Sequence, residues 1–135
     1  MDELIAKLEA APEGRFELGA EVLCRSKGYR FLSVEPRATM GTPYRMMVCA
    51  EAGMDGPFEF SADDPTQSFD AAMALRDRDR LPILVLQEAG ILSSFARLAV
   101  FNTAEGAIEP VMFDGEAKTL QLALCIAAIK SGKVI

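Results

Sequence analysis

The sequence predicts an α+β fold, a three-layer α/β/α sandwich with a mainly antiparallel sheet and a buried C-terminal helix. Three observations carry this. A helix drawn through Leu120 to Ile129 is apolar on nearly every face, interrupted only by Gln121, so it must be covered from more than one side. Several strand-like runs are apolar on both faces: Tyr44, Met46 and Val48 alternate with Met47 and Cys49, Leu84 and Leu86 with Ile83 and Val85, and Leu98 and Val100 with Phe95 and Phe101. Strands of that kind belong to a sheet covered on both sides. Short connections and the turn pairs Asp55-Gly56 and Asp114-Gly115 favour antiparallel neighbours.

In chain order, Asp2 caps a short helix in which Leu4, Ile5 and Leu8 form one apolar stripe, closed by Pro12 and Gly14. Phe16, Ala20, Leu23 and Cys24 follow at helical spacing, with Glu17, Glu21 and Arg25 away from the stripe. That spacing predicts an amphipathic helix with one buried face, and Gly28 is its left-handed stop. From Tyr29 the period changes to two, giving a strand from about Tyr29 to Val34 and another from Tyr44 to Ala50. The loop between them holds Pro36, Gly41 and Pro43, and Asp55-Gly56 makes a tight turn. Ser68 caps a helix through Asp70, Ala71, Ala72, Met73 and Leu75, as far as the charged run Arg76 to Arg80, and Pro82 prevents its continuation. After the runs around Leu84 and Leu98, a last strand from roughly Glu109 to Phe113 turns at Asp114-Gly115. Thr119 then caps the terminal helix, whose end is marked by Lys130 and Gly132. No repeat, linker or low-complexity segment interrupts the chain, which reads as a single domain over residues 1–135.

Half of the 135 residues are hydrophobic, enough for one real core. The 14 basic and 20 acidic residues leave a formal charge of -6, which repels phosphate backbones and anionic lipid. Only Arg76, Arg78 and Arg80 cluster, and Asp77 and Asp79 interleave them, so neither a nucleic acid nor a membrane is an expected partner. The N-terminus carries acid where a signal peptide carries base, and the apolar runs are about half the ~20 residues of a membrane span, which points to the cytosol. Cys24, Cys49 and Cys125 are an odd, widely spaced set, read as reduced thiols with Cys125 in the core.

Three segments together resemble a family: Glu17-Leu18-Gly19-Ala20-Glu21-Val22, Ser68 through Leu75, and Thr119 through Ile129. In order and spacing they are similar to small phage and prophage proteins described by a phage ABA sandwich domain. Gly19 stands where that pattern has aspartate, Arg15 where it has a serine cap, and Leu120 where it has proline; its middle-strand tryptophans are absent. The resemblance implies a phage-associated protein inside a bacterial host, and it supplies no catalytic residues.

Chemistry-bearing residues are sparse. With no histidine in the chain, a cysteine nucleophile lacks its usual base, and only Cys49, in a strand beside Met46 and Met47, reads as a thiol to test. Ser131-Gly132-Lys133 imitates the end of a phosphate loop without its upstream glycine or following helix. Asp63, Asp64 and Asp70 are the densest carboxylate group, the ligand type a hard cation takes, although Asp64-Pro65 reads first as turn chemistry and Asp70 as a first-turn helix charge. No catalytic, cofactor-binding or metal-binding set emerges.

The expected function is therefore binding. Candidate contact residues are Met46, Met47 and Met54, whose flexible thioethers suit a partner of variable shape, and Arg76, Arg78 and Arg80. The expected partner is a host protein, or a second copy of the chain. A metal-dependent or small-molecule enzyme using Asp63, Asp64 and Asp70, and a virion assembly protein, are the alternatives.

Overall fold

Asp2 opens the first helix, α1 (Glu3–Ala10), by accepting hydrogen bonds from the Leu4 and Ile5 amides, at 3.0 and 3.4 Å. The computed structural model describes residues 2–37, 43–54, 56–75, 80–87, 94–100 and 111–131. Helix α2 (Phe16–Lys27) ends on Gly28 in the left-handed conformation at φ 73°, the stop its sequence calls for. Three strands follow, β1 (Arg30–Pro36), β2 (Arg45–Glu51) and β3 (Pro57–Asp63), then helix α3 (Phe69–Ala74), capped by the Ser68 hydroxyl. Strands β4 (Arg80–Gln87), β5 (Ser94–Val100) and β6 (Val111–Ala117) lead to helix α4 (Leu120–Ser131).

The protein is α+β, with antiparallel sheets and, among the described residues, four helices. Among the described residues its strands form two three-stranded sheets, β1-β2-β3 and β4-β5-β6. Each sheet is a meander that follows a helix, so the order helix-strand-strand-strand occurs twice. Among the described residues no helix is long and apolar enough to cross a membrane.

Helix α4 is the centre of the larger core. It packs on β5 and β6 on one side and against α1, α2 and α3 on others. Every residue from Leu122 to Ile129 is buried, as the all-apolar stretch requires. Close approach to β6 depends on Gly115, because a Cβ there would be driven into the Ala123 carbonyl and the Ala127 amide. This is why Asp114-Gly115 lies inside a strand and not at the turn its composition suggests. The β6 strand continues through both residues to Ala117, and Asp114 faces outward to hold Arg97 with two hydrogen bonds of 2.7 and 2.9 Å.

Helix α2 is buried on two sides rather than the one expected. Leu18 and Val22 enter the α4 core, while Ala20 and Cys24 meet Met46, Val48 and Ala50 of β2 in a second core. The first sheet is correspondingly one-sided. Cross-strand rows on its outer face carry Ser33, Cys49 and Glu59, or the ion pairs Arg30–Glu51 and Arg45–Asp63 at 3.7 and 3.6 Å. Met47 and Cys49 on that face are half-buried, while Met46, Val48 and Ala50 on the inner face are fully buried.

The Gly115 seat makes a sharp prediction. Gly115→Ala must push α4 off β6 or strain the strand, and we expect a loss of about 2–3 kcal/mol in a urea unfolding series, with an unchanged slope.

Candidate functional site

Helix α2 packs over β1 and β2, and the inner face of β3 opens into a cleft of about 600 Å³ between α2 and α3. Its floor is Phe58 and Phe60, which lie opposite Ala50 and Val48 in the β2–β3 register. Tyr29, just past the end of α2, meets Phe58 edge-on with ring centres 5.0 Å apart and Phe60 at 6.1 Å. Pairs in this geometry are worth about 0.5–1.5 kcal/mol beyond their buried area. Leu23 closes one wall, and Ala71, Ala74 and Leu75 of the α3 segment close the other. Ser26, Lys27 and Ser61 supply polar residues to the lining. All three rings are half-buried.

The walls are held in place by the link between β3 and α3. Asp64 there is fully buried; its Oδ1 accepts hydrogen bonds from the Thr66 amide at 2.8 Å and the Thr66 hydroxyl at 2.7 Å, and its Oδ2 from the Gln67 side chain at 2.6 Å. The main chain of Asp64 is tied at both ends, to the Tyr44 carbonyl at 2.9 Å and to the Ser68 amide at 2.8 Å. Thr66 also receives the Arg15 amide at 3.0 Å, which fastens the loop to the start of α2. Gly19 allows this docking, since a Cβ there would run into the Asp64 carboxylate. On the remaining side the Cys125 thiol of α4 donates to the Pro65 carbonyl at 3.4 Å.

Burial pushes the Asp64 carboxyl above the usual carboxylate range, against the opposing pull of the Gln67 and Thr66 hydrogen bonds. The Thr66 hydroxyl lies near both Asp64 Oδ1 and the Arg15 carbonyl, at 2.7 and 3.1 Å.

The residues singled out from the sequence do not converge. Met46 is fully buried against α2 and so presents no surface to a partner; its place on the inner row of β2 was hidden by the apolar character of both rows. Met47 is half-buried on the opposite, outer face, and Met54 is wholly exposed in the β2–β3 turn. Arg76 and Arg78 lie outside the described residues, as do Asp55, Gly132 and Lys133, and Arg80 is described only as the first residue of β4, opposite Val100. Of the three aspartates, Asp63 pairs with Arg45, Asp64 is consumed by the loop, and Asp70 is exposed in the first turn of α3. Among the described residues no three His, Cys, Asp or Glu side chains come together to hold a metal ion.

The cleft floor residues lie on β3, a strand outside the elements expected from the sequence. Its signal is present in the alternation Phe58-Glu59-Phe60-Ser61 after Asp55-Gly56. No family model, no curated protein and no solved structure matches the chain.

Two predictions concern this region. Because the folded protein holds the Asp64 proton more tightly than the unfolded chain, its contribution to stability is full below the ordinary carboxylate value and is lost as pH rises through the folded value. Asp64→Asn keeps the acceptor for Thr66 and removes the charge, so it should match or exceed the parent in stability at pH 7 and lose that advantage below about pH 4. Asp64→Ala leaves the Thr66 and Gln67 donors unsatisfied and should cost roughly 2–3 kcal/mol below the ordinary carboxylate value, and less at pH 7. Urea titrations of both variants across pH measure this.

The second prediction concerns the thiols. Burial, with the Glu21 charge adding to it, pushes the Cys24 thiol up to about 11, and burial raises Cys125 further. Iodoacetamide at pH 8 should therefore alkylate half-buried Cys49 in the folded protein and reach Cys24 and Cys125 only after unfolding, as read by peptide mass spectrometry.

Proposed function

We propose that this chain is a binding module rather than a catalyst, and that it seats an apolar side chain of a partner protein in the cleft between α2, β3 and α3. The observation that carries the reading is the half-exposed Tyr29, Phe58 and Phe60 cluster on the face of β3 that opens beside α2. Aromatic rings held rigidly at a surface are the residues that protein interfaces concentrate, because they bury much area at small entropic cost. Among the described residues the lining carries no carboxylate or thiol to act as a general base or nucleophile. The resemblance to the phage ABA sandwich family supports a phage or prophage origin, a partner protein of the bacterial host and a place in the host cytoplasm. It also supports a three-layer α/β/α arrangement as the complete architecture, consistent with helices packed on both sheets.

Ala74 provides the test, being exposed at the end of α3 and part of the lining. Ala74→Arg places a long cation across the cleft mouth while leaving both cores untouched. We expect the parent protein to recover one host protein near equal stoichiometry from lysate and the variant to lose it. Retention by the variant would move the contact surface elsewhere, and recovery of the chain alone would refute the host-binding reading.

A further inference from the structure

We infer that the partner group recognised by the cleft is an apolar side chain with a carboxylate beside it, the carboxylate pairing with Lys27. The inference rests on the cleft being the contact surface and adds the chemistry of what enters it.

Lys27 lies at the end of α2, exposed, on the cleft lining. Its charge has no evident internal use. Lys7, Arg25, Arg30, Arg37, Arg45 and Arg97 each have a carboxylate within ion-pairing distance, whereas among the described residues Lys27 has none. The end of α2 is already capped by backbone groups: the Gly28 amide donates to the Arg25 carbonyl at 3.3 Å and the Tyr29 amide to the Cys24 carbonyl at 2.8 Å. The Lys27 ammonium is therefore not needed to close the helix.

Charge complementarity then selects the occupant. In a chain of net charge -6, the cleft lining combines, among the described residues, an aromatic floor with one cation and no acid. The apolar floor takes a hydrophobic group of either charge context, but the field at the rim favours an adjacent anion and disfavours a cation. An acidic residue next to a bulky apolar one on a partner protein meets both requirements. Since Lys27 is exposed, its ion pair adds a preference of about two- to fivefold, not the bulk of the affinity.

The experiment uses small probes that isolate the two parts. The 15N-labelled full chain is titrated with N-acetylphenylalaninate, its neutral amide N-acetylphenylalaninamide, and the cation phenylalaninamide, and amide resonances are followed by NMR. Resonances of Lys27, Tyr29, Phe58, Phe60 and Leu75 are expected to move, with the carboxylate probe binding about two- to fivefold more tightly than the neutral one and the cation most weakly. Lys27→Gln should abolish the difference between the first two probes, and Lys27→Glu should reverse it. Equal binding of the charged and neutral probes, or a preference that survives Lys27→Gln, overturns the carboxylate inference while leaving the cleft as a binding surface. If no probe moves the cleft resonances, the cleft itself is refuted, and the inference with it.

Discussion

The carboxylate of Asp64 has no solvent exposure, and it reaches that state only because the chain delivers three hydrogen-bond donors to it within the next three residues. Burial of an ionisable group without such donors costs several kcal/mol. With them, the loop becomes rigid enough to serve as a fastening point. It ties the end of β3 to the start of α3, presents Thr66 to the entry of α2, and offers Pro65 to α4. The angle between β3 and α3, and with it the width of the aromatic cleft, follows from how this loop is seated. Gly19 is part of the same device, for the helix can come this near only where it lacks a side chain.

A second dependence runs through α2. The helix separates two cores and contributes to both, with Leu18 and Val22 on one side and Ala20 and Cys24 on the other. That position explains the unusual spread of its buried residues around the helical wheel. It also explains why the second core is small: the first sheet has helical cover over β1 and β2, and β3 is left to make its own aromatic cluster with Tyr29.

Local signals were read directly from the sequence where the physics is local. The caps at Asp2, Ser68 and Thr119, the left-handed stop at Gly28 and the buried C-terminal helix are each decided by a few neighbouring residues. Long-range facts were not legible. Asp114-Gly115 has the composition of a turn, and only the approach of α4 reveals that Gly115 is there for clearance. Asp64-Pro65 carries legible turn chemistry, but nothing near it announces that Gly19 comes from another element to bury it. Met46 and Met47 are chemically alike, and which of them faces inward depends on strand register, a property of β1 and β3 as much as of β2. The cleft is obscured in the sequence for a simpler reason: Phe58 and Phe60 alternate as strand residues do, but in a run that begins with proline.

The central position of α4 has a consequence for how the chain is made. The helix that fills the larger core is the last of the described elements to leave the ribosome, while one of its packing partners, α1, is the first. At about 5–20 residues per second, α1 waits on the order of ten seconds for the surface it will cover. During that interval the first sheet and α2 have what they need to pair, but Leu4, Leu8, Leu18 and Val22 lack the helix that completes their core. The nascent chain therefore carries an unfilled apolar seat until translation reaches α4, and this interval is when it most depends on chaperones.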